Sequence, residues 1–267
     1  MGVKLVSFLK IKRYNISVIK KGAIYMCLKV QQMKKRELNI PLGTNENGED
    51  CCLDLISARH VLVAGRTGSG KSIYLHKVIN ALKEQDKNDV RLFLVDLKGT
   101  EFVRYDNISN IYKKVATDWG SAIFGLYDIL DEVDNRYDKF EKNSVFYLDD
   151  YNALGVEEKL PHIVIIIDEA AAGLLNEKGE GGLVLRWLVE RSNNAGVHII
   201  LATQMFAEEV LFPNLKVNLQ TRLCFKVFDE VSSLRVLHQE GAEKLNVGEF
   251  LYRNPYSDEI KKFKVKW

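Results

Sequence analysis

The chain has 267 residues, 46% of them hydrophobic and 28% charged, a balance that excludes disordered, collagen-like and mucin-like classes. A chain of this length folds without disulfide or metal staples, and its four cysteines, with Cys51 and Cys52 adjacent and no CxxC pair, fit reduced thiols rather than a zinc or disulfide framework. The net charge of +2 conceals a split, because residues 1–36 hold ten Lys and Arg and no Asp or Glu: a segment suited to nucleic acid or an anionic membrane surface, or simply to a solvated face.

Residues 1–36 alternate apolar and basic positions, which fits short strands or a basic amphipathic helix. The apolar stretch GAIYMCL is far short of the ~18–20 residues of a membrane span, and Lys10, Lys12 and Arg13 spoil the first apolar run as a signal peptide. The expected location is cytoplasmic, with any membrane contact made through a partner. Pro, Gly and Asn cluster in PLGTNENGED, residues 41–50, and predict a turn or hairpin. From residue 60 the pattern alternates. HVLVAG reads as a short apolar strand and residues 71–85 as a helix. RLFLVD is a second buried strand. Residues 118–140 form an amphipathic helix through Ile123, Leu126, Tyr127, Leu130, Val133 and Tyr137. HIVIIIDE is a third strand, apolar throughout, as a strand covered on both faces should be. GLVLRWLVERSNN is a helix and VHIILATQ a fourth strand. NLQTRLCFKVF and GEFLYR suggest further strands around a helix near 234–245. Alternation of this kind predicts an α/β fold with a mainly parallel sheet flanked by helices.

Four motifs carry chemistry. Gly65-Arg66-Thr67-Gly68-Ser69-Gly70-Lys71-Ser72 matches G-x-x-x-x-G-K-[ST], the P-loop, and it follows an apolar strand and opens a helix, the context the motif requires. The glycines let successive backbone N–H groups converge on phosphates, and the helix N-terminus adds its positive end. Lys71 is placed to reach the β and γ phosphates of ATP, and Ser72 to ligate Mg²⁺. Asp168-Glu169 ends the strand HIVIIID. The first carboxylate can hold Mg²⁺ and the second can take a proton from an attacking water; an acidic pair at a helix N-terminus is the other reading. Gln204, at the end of VHIILATQ, can contact the γ-phosphate or the water from the sheet edge where ligands bind in open α/β folds, or face a loop. Asp96-Leu97-Lys98 ends RLFLVD and borders the same crevice by this geometry, or is a solvated turn.

These residues together resemble the motor domain of FtsK/SpoIIIE-type DNA translocases, within the wider HerA–FtsK group, from about residue 38 to 253. The resemblance is carried by IPLGTNENGEDCCLDL, HVLVAGRTGSGKS, VDLKGTEF, Val115-Ala116-Thr117-Asp118, Arg136-Tyr137, Asp168-Glu169, AGVHIILATQ, LKVNLQTR and HQEGAEKLNVGEFLY, in the family's order. It implies a RecA-like P-loop core, 38–267, behind a basic segment, 1–37. It also implies a homo-oligomeric, hexameric ring through which ATP hydrolysis drives DNA. On this resemblance Lys71, Ser72, Asp168, Glu169 and Gln204 keep the roles above, and Lys216 matches a lysine on a pore-facing loop, a phosphate-contact candidate unless it is a plain surface lysine. The family's arginine before "AAGIH" falls on Asn193. Arg191, two residues earlier, or Arg222 could supply the charge that acts on a neighbour's γ-phosphate. The family's "S-R" falls on Leu234, and a common lysine on Glu230. The chain ends about where a motor core ends, and the expectation is a motor for DNA transfer by a plasmid, phage or conjugative element, with a membrane-associated or relaxosome partner. A type VII-like protein-secretion ATPase and a non-motor nucleotide-binding assembly module are the alternatives.

Overall fold

The computed structural model describes residues 37–170, 179–204, 213–257 and 259–266; the basic segment that drew attention in the sequence lies, but for its last residue, outside them. Among the described residues, nine strands form one sheet. In chain order the elements are β1 (Asn39–Asn45), β2 (Asp50–Asp54), α1 (Leu55–Ala58), β3 (Val61–Ala64), α2 (Lys71–Lys83), β4 (Val90–Asp96), α3 (Trp119–Lys142), α4 (Leu148–Asn152), β5 (His162–Asp168), α5 (Glu180–Arg191), β6 (Val197–Thr203), α6 (Pro213–Asn218), β7 (Thr221–Phe225), α7 (Glu230–Leu237), β8 (Glu249–Arg253) and β9 (Ile260–Lys264). The sheet order is β2-β1-β9-β8-β7-β3-β6-β5-β4.

The half from β7 to β4 is parallel, and β8, β9, β1 and β2 continue it antiparallel. The parallel strands are the continuous apolar runs of the sequence: every residue of β3, β5 and β6 is buried, as helices on both faces require. Alternate residues divide between two cores. Phe93, Ile163, Ile165 and Ile167 meet Leu126, Ile129 and Leu188 of α3 and α5 on one face; Leu92, Leu94, Val164 and Ile166 meet Leu75, Val78 and Ile79 of α2 on the other. Gly125 lets α3 lie close on β4, since a Cβ there would stand 2.2 Å from Phe93 Cζ.

Local signals set the helix ends. Asp118 accepts from the Ser121 N–H at 2.9 Å in a reciprocal capping box that starts α3, and Asp229 accepts from the Ser232 N–H at 2.7 Å to start α7. The expected turn at 41–50 is the β1–β2 hairpin. The helix expected near 234–245 is instead α7 at 230–237, ended by His238 in the left-handed region (φ 60°), with a separate short 3₁₀ turn at 242–244. β9 went unpredicted; it carries three lysines in five residues and inserts between β1 and β8.

Candidate active site

The P-loop leaves the end of β3 and enters α2 at Lys71. Three of its glycines have positive φ: 149° at Gly65, 72° at Gly68 and 106° at Gly70. At Gly65 space is also decisive, because a Cβ would lie 2.7 Å from Phe225 Cβ and 2.9 Å from Ser69 Oγ. At Gly70 it would approach Gly248 Cα at 3.1 Å. The loop is pinned from the antiparallel side of the sheet. The Arg66 N–H donates to the Lys226 carbonyl at 2.9 Å, just past β7, and the Gly248 N–H donates to the Ser69 carbonyl at 2.9 Å, just before β8.

Inside this loop Lys71 Nζ donates to the carbonyls of Gly65 at 2.5 Å and Arg66 at 3.1 Å. Burial pushes its ammonium down to about 8, against the opposing pull of Glu169 and Asp168. Ser69 Oγ is buried and has no hydrogen-bond partner among the described residues. A helix N-terminus, a buried cation and an unpartnered hydroxyl suit a polyanion.

The carboxylates arrive at the end of β5, two places along the parallel sheet from β3. Asp168 ends β5 and is nearly buried; burial raises its pKa, while Lys98 and Lys71 lower it. Glu169 follows in the left-handed region, φ 59°, a conformation a non-glycine residue holds only when its surroundings impose it. The next residue supplies that constraint: the Ala170 N–H donates to the Ala202 carbonyl of β6 at 3.0 Å. Lys98 Nζ stands 3.7 Å from Glu169 Oε2. Gln204 follows β6, and its side-chain oxygen accepts from the Thr67 hydroxyl of the P-loop. Lys71, Ser72, Asp168, Glu169 and Gln204 therefore gather at the C-terminal edge of β3, β5 and β6, with Ser72 half-buried at the second position of α2.

Other sequence candidates fall elsewhere. Asp96 is fully buried and caps its own loop, accepting from the N–H groups of Gly99, Glu101 and Phe102 at 3.0, 2.7 and 2.8 Å. Of the Asp96-Leu97-Lys98 segment expected at the crevice, Lys98 reaches Glu169, while Asp96 holds the turn. Arg191 ends α5, which returns the chain to the start of β6, so it lies at the sheet edge opposite the P-loop of its own chain. There it pairs with Asp134 at 2.5 Å, and its carbonyl accepts from the Tyr137 hydroxyl. Neighbouring Arg136 is buried and donates to the Ala195 carbonyl at 2.7 Å, fixing α3 against the turn into β6. Arg222 is committed to the fold: it donates to the carbonyls of Leu219, Val236 and Lys216 at 2.9, 2.7 and 2.9 Å. Lys216 is half-exposed in the last turn of the short helix α6 rather than on a loop. Sequence reasoning missed the backbone clasp from Lys226 and Gly248; the glycine before GEFLYR's strand was its only trace.

A P-loop opening a helix from a parallel strand, with acidic residues ending a strand two places along the sheet, defines a RecA-like P-loop ATPase fold. A model of the FtsK/SpoIIIE family matches residues 27–208, and the chain belongs to that family. It is 32% identical over 216 residues to "DNA translocase SftA" of Bacillus subtilis, covering 79% of this chain and 23% of that protein. It is 35% identical over 228 residues to "DNA translocase FtsK" of Streptococcus pneumoniae, covering 81% and 30%. The chain thus spans less than a third of these relatives' length. Among solved structures, the pCW3 conjugation coupling protein TcpA, in monomer form with ATPγS, is similar with a TM-score of 0.75 at 24% identity, over 88% of this chain and 67% of that one. The cytoplasmic domain of the Thermomonospora curvata type VII secretion ATPase EccC gives a TM-score of 0.77 at 24% identity, over 89% and 29%.

Proposed function

We propose that the chain is an ATP-hydrolysing DNA translocase motor, serving DNA transfer or mobilisation of a plasmid, phage or conjugative element. The observation that carries this reading is the meeting of Lys71, Asp168, Glu169 and Gln204 at one sheet edge, in a family whose matched relatives carry the name DNA translocase.

The loop fits a nucleotide on its own evidence: the buried Lys71 ammonium, held among the described residues only by the loop's own carbonyls, and the unpartnered Ser69 Oγ. Residues 65–72 would hold the phosphates of ATP, and Ser72 and Asp168 would hold Mg²⁺. Magnesium, when bound, supplies positive charge to the phosphate oxygens. Glu169 accepts the proton of the attacking water, with the Lys98 ammonium 3.7 Å from its carboxylate holding it in place. Lys71 donates hydrogen bonds to phosphate oxygen in place of its present carbonyl partners. Gln204, already tied to Thr67, links hydrolysis at the loop to β6. Arg191 faces away from its own loop, so we assign its action to a neighbouring copy in a homo-oligomeric ring. Lys216 is the DNA-phosphate candidate within the motor, and the basic segment 1–37 is a docking arm for DNA or a membrane-associated partner. No helix among the described residues is long and apolar enough to cross a membrane, and we place the motor in the cytoplasm.

The test is the ATPase rate with and without duplex and single-stranded DNA over a range of salt. The reading expects stimulation by DNA that fades as salt rises, because phosphate contacts release counterions. A rate indifferent to DNA would instead favour a protein-secretion motor, whose EccC likeness concerns the fold alone.

A further inference from the structure

The apolar surface beside the P-loop is unused by the chemistry above. Phe228 is 74% exposed, three residues past the end of β7, with exposed Val231 three residues further on in α7. Phe146 and Tyr256 are about as exposed; what sets Phe228 apart is its attachment to the P-loop. It is tied to the loop twice. The guanidinium of Arg66 lies 5.7 Å from the Phe228 ring centroid, over its face. The Arg66 backbone N–H donates to the carbonyl of Lys226, two residues before the ring.

The sheet order fixes which end of a nucleotide meets this ring. Asp168, Glu169 and Gln204 lie on the β6–β5 side of β3; that side takes the terminal phosphate, where water attacks. β7 lies on the other side of β3. A triphosphate seated in the loop with its terminal group toward β5 carries its nucleoside toward β7, where the chain leads to Phe228.

Resting on the reading of the loop as a nucleotide site, we propose that Phe228 is the stacking platform for the nucleobase, with Arg66 orienting the ring. It is a positioning residue for the substrate and touches no reacting atom. Every base offers a π-face, so the platform adds affinity without choosing among purines. Inorganic tripolyphosphate, which has no base, gains nothing from it.

The experiment measures the binding of ATP, GTP and inorganic tripolyphosphate to the full chain, to Phe228→Ala, to Phe228→Trp and to Lys71→Ala. Phe228→Ala should weaken both nucleotides by roughly tenfold, within the range of one base–aromatic stack, and leave tripolyphosphate unchanged. Phe228→Trp should restore nucleotide affinity, and its fluorescence should change on adding ATP but not tripolyphosphate. Lys71→Ala should weaken all three ligands. Parent-like ATP binding by Phe228→Ala overturns the platform while leaving the phosphate site standing. Equal loss of tripolyphosphate overturns it as well, because the ring would then be supporting the loop itself. A parent chain that binds none of the ligands overturns the nucleotide reading and the platform together.

Discussion

Lys71 gives the sharpest quantitative prediction. Its amine is buried in the P-loop and pushed down to about 8, from the ordinary 10.5 of a lysine. A polyphosphate placed against it favours the charged form and raises that value again. Between the two values the free site has lost its proton and the complex has regained it, so binding takes up a proton. The affinity that comes from this charge is complete below about pH 8 and falls as the pH rises, about tenfold per unit, until the bound lysine also titrates. From the free-site value, uptake should be about 0.1 proton per nucleotide at pH 7 and about 0.9 at pH 9. At pH 9 the nucleotide's phosphates are fully deprotonated, since their last pKa is near ~6, so uptake there reports on the protein. Calorimetric titration of ATP in buffers of different ionisation enthalpy reads the proton count directly as a slope. Lys71→Arg should bring the uptake at pH 9 to near zero, because a guanidinium stays charged. A parent protein that takes up no proton at pH 9, with affinity flat from pH 7 to 10, would show that burial does not hold the Lys71 amine down in the free site.

Glu169→Gln keeps the shape of the side chain and removes the base, so ATP binding should persist while turnover drops by about 10²–10⁴-fold; a parent-like turnover rate places the base elsewhere. Arg191→Ala removes a half-exposed ion pair with Asp134 and should change stability by less than ~1 kcal/mol. It should nevertheless depress the ATPase of wild-type protomers when mixed with them, beyond simple dilution, and mixing without excess loss contradicts action in trans. Gly125→Ala drives a methyl into the Phe93 ring, 2.2 Å from Cζ, and chemical denaturation should show a loss of about 1–2 kcal/mol, overpacking partly offset by helix propensity. Unchanged stability would mean that α3 is not held so close to β4.

The parallel half of the sheet was legible because its strands are buried on both faces: HVLVAG, RLFLVD, HIVIIID and VHIILATQ are too apolar to be anything else at that length. The P-loop was legible because its glycines answer a backbone need that no other residue meets. The remainder depends on where backbone carbonyls from distant segments fall. Asp96 and Asp168 end adjacent strands in register and read alike in sequence. Only the turn at Gly99–Phe102, which folds its N–H groups back onto Asp96, separates the structural acid from the chemical one. Arg222 looked like a free cation until the carbonyls of Leu219, Val236 and Lys216 closed on it. The left-handed turn at His238 that divides the expected last helix has no glycine to announce it. β9 is hard to read because its lysines mask an edge-like strand that three-dimensional pairing places inside the sheet.

On the proposed function, hydrolysis at this loop moves the chain along DNA. Displacement of a triplex-forming strand from duplex DNA tests it most directly, since the third strand leaves only when something travels along the duplex beneath it. The full chain should release it in an ATP-dependent manner, and both Lys71→Ala and Glu169→Gln should abolish release. An ATPase that turns over on DNA yet leaves the third strand in place would contradict translocation.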